Sequence, residues 1–129
     1  MTKHTLTAAV MAAVIGGTGL AQAEGDPAKG EKVFRRCQAC HKVEDGKNGV
    51  GPHLYNVVGR EVGAVEGYKY SSSMMEWGEG KVWDEANLRD YLADPRGVVK
   101  GTKMAFGGLK KDQQIADVIA YLEAESGGS

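Results

Sequence analysis

The sequence predicts an all-α domain. Three segments place apolar residues at three-and-four spacing behind helix-starting residues, and no segment alternates apolar with polar side chains as a half-buried strand would. Glycine, at 19 of 129 residues, breaks the chain into loops between those segments. A chain of this length makes one modest domain, and a small domain with so much loop needs a staple to supplement its core.

The beginning of the chain reads as a targeting signal rather than as part of that domain. Lys3 supplies a positive charge, Leu6 to Ile15 are almost wholly apolar, and Ala21-Gln22-Ala23 forms a small-x-small cleavage site. Residues 1–23 are therefore read as a secretory signal peptide cut after Ala23. The apolar stretch is too short for a membrane anchor, which needs roughly 20 residues. A single domain then occupies residues 24–129. Loss of Lys3 leaves 15 of the 16 basic residues against 17 acidic ones, a balance that says nothing about partners.

Asp26-Pro27 starts the first helix, an N-cap residue followed by proline where a missing N–H costs nothing. Gly30, Val33, Phe34 and Cys37 follow as one buried stripe. The glycine-rich region from Asp45 to Val65 has no sustained period and reads as loop, and a short helical piece is weakly signalled around Ser72 to Trp77. The next helix opens at Asp84, is carried by Leu88, Tyr91 and Leu92, and is stopped by Asp94-Pro95. Residues 96–110, rich in Gly and Lys, read as loop. Asp112 is expected to cap a final helix with Ile115, Val118, Ile119 and Leu122 on its apolar face, closing before Gly127-Gly128.

The residues that carry chemistry are Cys37-Gln38-Ala39-Cys40-His41, at the end of the first helix. Helical positions i and i+3 share a face, so both sulfurs can reach the two vinyl groups of one porphyrin while His41 presents a ring nitrogen to its iron. An oxidising periplasm permits such attachment and permits a disulfide equally. A thioredoxin-like redox pair would use the same cysteines but belongs beside βαβ patterning, which is absent here. A zinc site would have to complete its four ligands with His53, and a disulfide in so short a loop would leave His41 incidental. Covalent haem is the reading that uses all five residues.

A six-coordinate iron needs a second axial ligand, and the candidates are Met74, Met75, Met104 and His53. Met104 stands in a glycine-flanked loop with no helical obligation, free to fold over the face opposite His41. Met74 and Met75 are explained by ordinary packing, and His53 by a polar loop position.

At this point the chain resembles the class I cytochromes c, close to bacterial cytochrome c2 and mitochondrial cytochrome c. The likeness spans about residues 26–122. It is carried in order by Cys37 to His41, Gly51-Pro52, Gly59-Arg60, Tyr68-Lys69-Tyr70, Trp83, Tyr91-Leu92, Gly101 to Phe106, and Ile119 to Leu122. The resemblance implies crossing N- and C-terminal helices, with Gly30 and Phe34 against Val118 and Tyr121, a third long helix, and glycine-rich loops around one haem c held by Cys37 and Cys40. It implies His41 and Met104 as the iron ligands, with the Pro52 carbonyl accepting from the other nitrogen of His41. Arg60, Tyr70 and Trp83 are implied as donors to the haem propionates, with help from Thr102, and Tyr91 as a donor to the Met104 sulfur.

The pattern is not matched everywhere. Lys100 replaces a proline usual in mitochondrial relatives, His53 replaces an asparagine, and the segment between Tyr70 and Trp83 is longer, so residues 71–81 receive no role.

With His and Met on both faces the iron has no open site and can only change oxidation state, which makes the expected function one-electron carriage in the periplasm by a monomer that binds no nucleic acid. By analogy the donor is a cytochrome bc1 complex and the acceptor a terminal cytochrome c oxidase or a photosynthetic reaction centre. Arg36, Lys47, Arg96, Lys100, Lys103, Lys110 and Lys111 are expected to ring the haem edge and steer docking on acidic partners. Two other functions remain open at the level of residues: a peroxidase or gas sensor, if Met104 dissociates readily, and a thiol oxidoreductase, which would carry no haem colour.

Overall fold

A computed structural model describes residues 25–126, in which five helices are joined by loops. They are α1 (Pro27–Phe34), α2 (Ser72–Gly78), α3 (Glu85–Ala93), α4 (Pro95–Val98) and α5 (Asp112–Ala124). The expected signal peptide, its cleavage after Ala23, and Gly127-Gly128 lie outside the described residues.

Capping chemistry sets most of the boundaries. The Asp26 carboxylate accepts from the Ala28 N–H at 2.9 Å at the head of α1, the Ser71 hydroxyl accepts from Met74 N–H at 3.0 Å for α2, and Asp84 accepts from Asn87 N–H at 2.8 Å for α3. Three expectations need correction. The α-helix of the first segment stops at Phe34, before Cys37. Asp112 is the first residue of α5 and does not cap it; Lys111 holds the cap position with no side-chain bond. The stretch after Asp94-Pro95 is not all loop, because the Asp94 carboxylate accepts from Gly97 N–H at 3.1 Å and starts the short α4.

Helices α1 and α5 cross at their small residue. A β-carbon on Gly30 would overlap the Asp117 carbonyl and approach the Tyr121 β-carbon, so only glycine lets the two backbones come this close. The Phe34 and Tyr121 rings then pack, tilted at 37°, with centroids 5.2 Å apart beside the crossing. Ile115, Val118, Ile119 and Leu122 of α5 are buried as the period predicted.

The crossing is tied by a buried charge. Asp117, only 4 % exposed, accepts from the Asp26 N–H at 2.8 Å and from the Gln113 side-chain amide at 2.9 Å. The Asp26 N–H, above all, holds its carboxyl below the usual carboxylate range; burial opposes this, and Gln113 and the Lys29 charge reinforce it. A depressed folded pKa stabilises the fold above the unfolded value of about 4, and that stabilisation is lost as pH falls through the lower folded value. Replacing Asp117 with leucine should therefore lower stability by about 1–3 kcal/mol at pH 7 and flatten the acid limb of the unfolding curve, measured by denaturant titration from pH 7 to 2. An acid limb identical to that of the parent protein would refute this role for Asp117.

Between α1 and α3 the chain is mostly loop, and its only strand-like pairing among the described residues is the antiparallel bridge Glu61↔Val82. Gly59 N–H donates to the Trp83 carbonyl and Trp83 N–H to the Arg60 carbonyl, both at 2.8 Å. This pairing fixes Arg60 beside Trp83. Helix α2 lays Trp77 against Trp83 at 5.4 Å, and Trp83 packs on Tyr91 of α3 at 5.3 Å. No described helix is long and apolar enough to cross a membrane.

Candidate cofactor cavity

After Phe34 the chain stays coiled. Cys37 N–H donates to the Phe34 carbonyl at 2.7 Å, and Cys40 and His41 N–H both donate to the Cys37 carbonyl, at 3.0 and 2.9 Å. These turns keep the i, i+3 relation that the helix itself no longer supplies. Cys37 and Cys40 are both free thiols, and both line a cavity of about 260 Å³. Burial pushes the Cys37 thiol up, partly offset by the adjacent Arg36.

His41 lines the same cavity with its tautomer determined. Its Nδ1 lies 2.7 Å from the Pro52 carbonyl, which can only accept, so Nδ1 carries the proton and the Nε2 lone pair is free. Burial is the main cause holding the His41 pKa below its ordinary value, with the Pro52 bond opposing and Arg60 adding to the depression. The ring is neutral, the form that binds metal. Gly51 makes the fit possible, because a β-carbon there would overlap the imidazole.

Met104 reaches the cavity from the loop that precedes α5. Its backbone N–H donates to the Thr102 hydroxyl oxygen at 3.3 Å, and that oxygen is 2.8 Å from the Tyr91 hydroxyl. Tyr91 thus holds the neighbouring Thr102, and through it the methionine backbone. The loop is further tied by Lys103, whose ammonium donates to the Lys69 carbonyl at 2.7 Å.

Arg60, Tyr70 and Trp83 also line the cavity, as do Pro52, Tyr91 and Thr102, so all ten residues expected to touch a cofactor converge on one space. Burial raises the Tyr70 and Tyr91 pKa values first and foremost, so both hydroxyls keep their protons and can donate. Tyr70 receives the Val65 N–H at 3.1 Å and still has that proton to give.

Whether these residues fit a haem can be tested on Arg60. Its Nη1 donates to the Tyr55 carbonyl at 3.0 Å, but its Nε is buried without a partner. No carboxylate of the described residues pairs with this guanidinium. A half-buried cation with an unpartnered Nε at an apolar cavity wants an anion inside that cavity, which a propionate supplies. Two thiols, a free imidazole nitrogen and a thioether complete a donor set suited to haem c. Zinc is poorly served, since among the described residues no three His, Cys, Asp or Glu side chains are placed to hold a metal ion together.

The family model described as Cytochrome c matches residues 27–125. The chain belongs to the cytochrome c family. It is 48 % identical over 120 residues to the cytochrome c2 of Rhodomicrobium vannielii, covering 92 % of this chain and 94 % of that one. It is 51 % identical over 92 residues to a cytochrome c2 iso-2 of Magnetospirillum fulvum, covering 71 % of this chain and 94 % of that one. Among solved structures, cytochrome cH from Methylobacterium extorquens matches at a TM-score of 0.71 and 46 % identity, over 78 % of this chain and 99 % of that one.

As a cytochrome c of class I fold, the chain is an electron-transfer protein rather than an enzyme, and it holds one haem c covalently through Cys37 and Cys40.

The cavity is lined by residues to which the sequence assigned no cofactor contact. Met74, explained by packing alone, is buried and lines the cavity, with Ser71 beside it; Tyr68 does so as well. The serine cap before Met74 was the available signal, since it starts α2 and turns that side chain inward. His53 does not line the cavity. Its ring is largely buried behind it, Nε2 lying 3.9 Å from Asp45 and Nδ1 without a partner. Of the basic residues expected around the haem edge, only Arg36 and Lys103 line the cavity; Lys47, Arg96, Lys100, Lys110 and Lys111 are exposed elsewhere, on the loops, on α4 and at the head of α5.

Proposed function

We propose that the chain, exported to the periplasm and cut after Ala23, shuttles single electrons between membrane redox complexes, with His41 and Met104 as the axial ligands of its haem. A cytochrome bc1 complex is the proposed donor, and a terminal oxidase or photosynthetic reaction centre the proposed acceptor. The observation that carries this reading is that the free Nε2 of His41 and the Met104 side chain line one cavity together with both thiols. When bound, the haem supplies a one-electron couple, and thioether ligation favours its ferrous form.

The protein's own residues do the rest. Pro52 holds the His41 ring in one tautomer, Thr102 and Tyr91 hold the ligand loop, and Lys103 fastens that loop to Lys69. These ties favour a closed ligand sphere over a peroxidase or gas-sensing site. The decisive experiment is a mass for the protein purified from the periplasm of a host with haem-attachment machinery. Residues 24–129 plus one haem is the expected result, and a colourless or uncut product would end the proposal.

Docking is proposed through the exposed cations that line the cavity, Arg36 and Lys103, with Lys47, Arg96, Lys100, Lys110 and Lys111 contributing at longer range. Changing Arg36 to glutamate should slow association with an acidic redox partner roughly tenfold at low salt and reduce its salt dependence, read by stopped-flow mixing. A rate indifferent to both the substitution and the ionic strength would exclude electrostatic steering from this face.

A further inference from the structure

The acceptor of the His41 proton is one end of a peptide unit whose other end is also held. Nδ1 of His41 donates to the Pro52 carbonyl at 2.7 Å, and the N–H of that same peptide unit, belonging to His53, donates to Oδ1 of Asn48 at 3.0 Å. Nδ2 of Asn48 then donates to the Glu66 carbonyl at 3.0 Å. Three hydrogen bonds run head to tail away from the imidazole, and the two ends of the Asn48 amide fit their partners in only one orientation.

Hydrogen bonds in series polarise one another. An acceptor on the His53 N–H draws electron density toward the Pro52 oxygen, which then pulls harder on the His41 proton. A more strongly held Nδ1 proton makes Nε2 more basic, and a more basic ligand favours ferric iron.

We propose that Asn48 is a positioning residue for electron transfer, setting the reduction potential through the Pro52–His53 peptide and the His41 ring. The proposal rests on His41 being an iron ligand. Asn48 is an exposed side chain outside the core, so replacing it removes the relay without opening a cavity. Its amide also ties the loop before Pro52 to the loop at Glu66, and the test must separate that tie from the electronic effect.

Two variants of the haem-loaded protein do so. Asn48→Leu removes both ends of the amide, whereas Asn48→Asp keeps an acceptor for the His53 N–H and loses the donor to Glu66. The measurements are the reduction potential and the NMR resonance of the His41 Nδ1 proton, with haem attachment verified by mass first. The leucine variant is expected to raise the potential and move the proton resonance upfield, as a weakened hydrogen bond does. The aspartate variant is expected to lower the potential and move the resonance downfield, although it has lost the same loop tie.

Equal losses of thermal stability with both readouts unmoved would reduce Asn48 to a loop fastener and overturn the proposal. A lowered potential in the aspartate variant alone, with the proton resonance unmoved in both, would be a through-space charge effect and would overturn it too. A parent protein that carries haem but lacks the resonance of a histidine ligand would instead remove the underlying assignment of His41.

Discussion

Exchange of Met104 for alanine is expected to erase the sulfur-to-iron charge-transfer band of the oxidised protein completely. Haem attachment should survive, because Cys37 and Cys40 are held by the turn after α1 and owe nothing to the Met104 loop. The potential should fall, since thioether ligation favours ferrous iron, and cyanide or carbon monoxide should bind quickly to the vacated position. Visible spectroscopy with and without added cyanide reads all of this. A band that persists would assign the ligand to another thioether, and Met74 is the other methionine lining the cavity.

A second large effect is expected at the helix crossing. Replacing Gly30 with alanine raises intrinsic helix propensity by about 1 kcal/mol, so on an exposed helix face it would stabilise. Here the added carbon meets the Asp117 backbone carbonyl and the Tyr121 β-carbon, which cannot swing aside as the tip of a long side chain can. The helices must separate, at a cost of about 3 kcal/mol, and for a domain of this size the melting temperature should fall by roughly 10–20 °C. Thermal denaturation of the haem-loaded protein measures it. A rise in melting temperature would mean that α1 and α5 do not approach as closely as described.

The two substitutions probe different kinds of information. The helices could be placed from sequence because apolar period and capping residues are local: Asp26-Pro27, Asp84 and Asp94-Pro95 each mark a boundary through bonds to residues within three positions. The same locality explains the misjudged cap at Asp112. An aspartate at the start of a helix reads alike whether it is the cap or the first helical residue, and only backbone geometry separates the two. Short α4 was missed because four residues have no period to detect.

Cys37 to His41 and Met104 were found because cofactor chemistry restricts residue type and spacing, whatever the fold around them. By itself, then, the sequence determined the all-α class, the order of the main helices, and the motif that holds the haem. What it could not determine were particular side-chain contacts that no local pattern marks. Met74 lines the cavity, the Tyr91 hydroxyl meets Thr102, and one peptide unit is held between His41 and Asn48. Each of these depends on where helices and loops come to rest relative to one another, to within a hydrogen-bond length. Packing decides that distance, and no local preference of the chain encodes it.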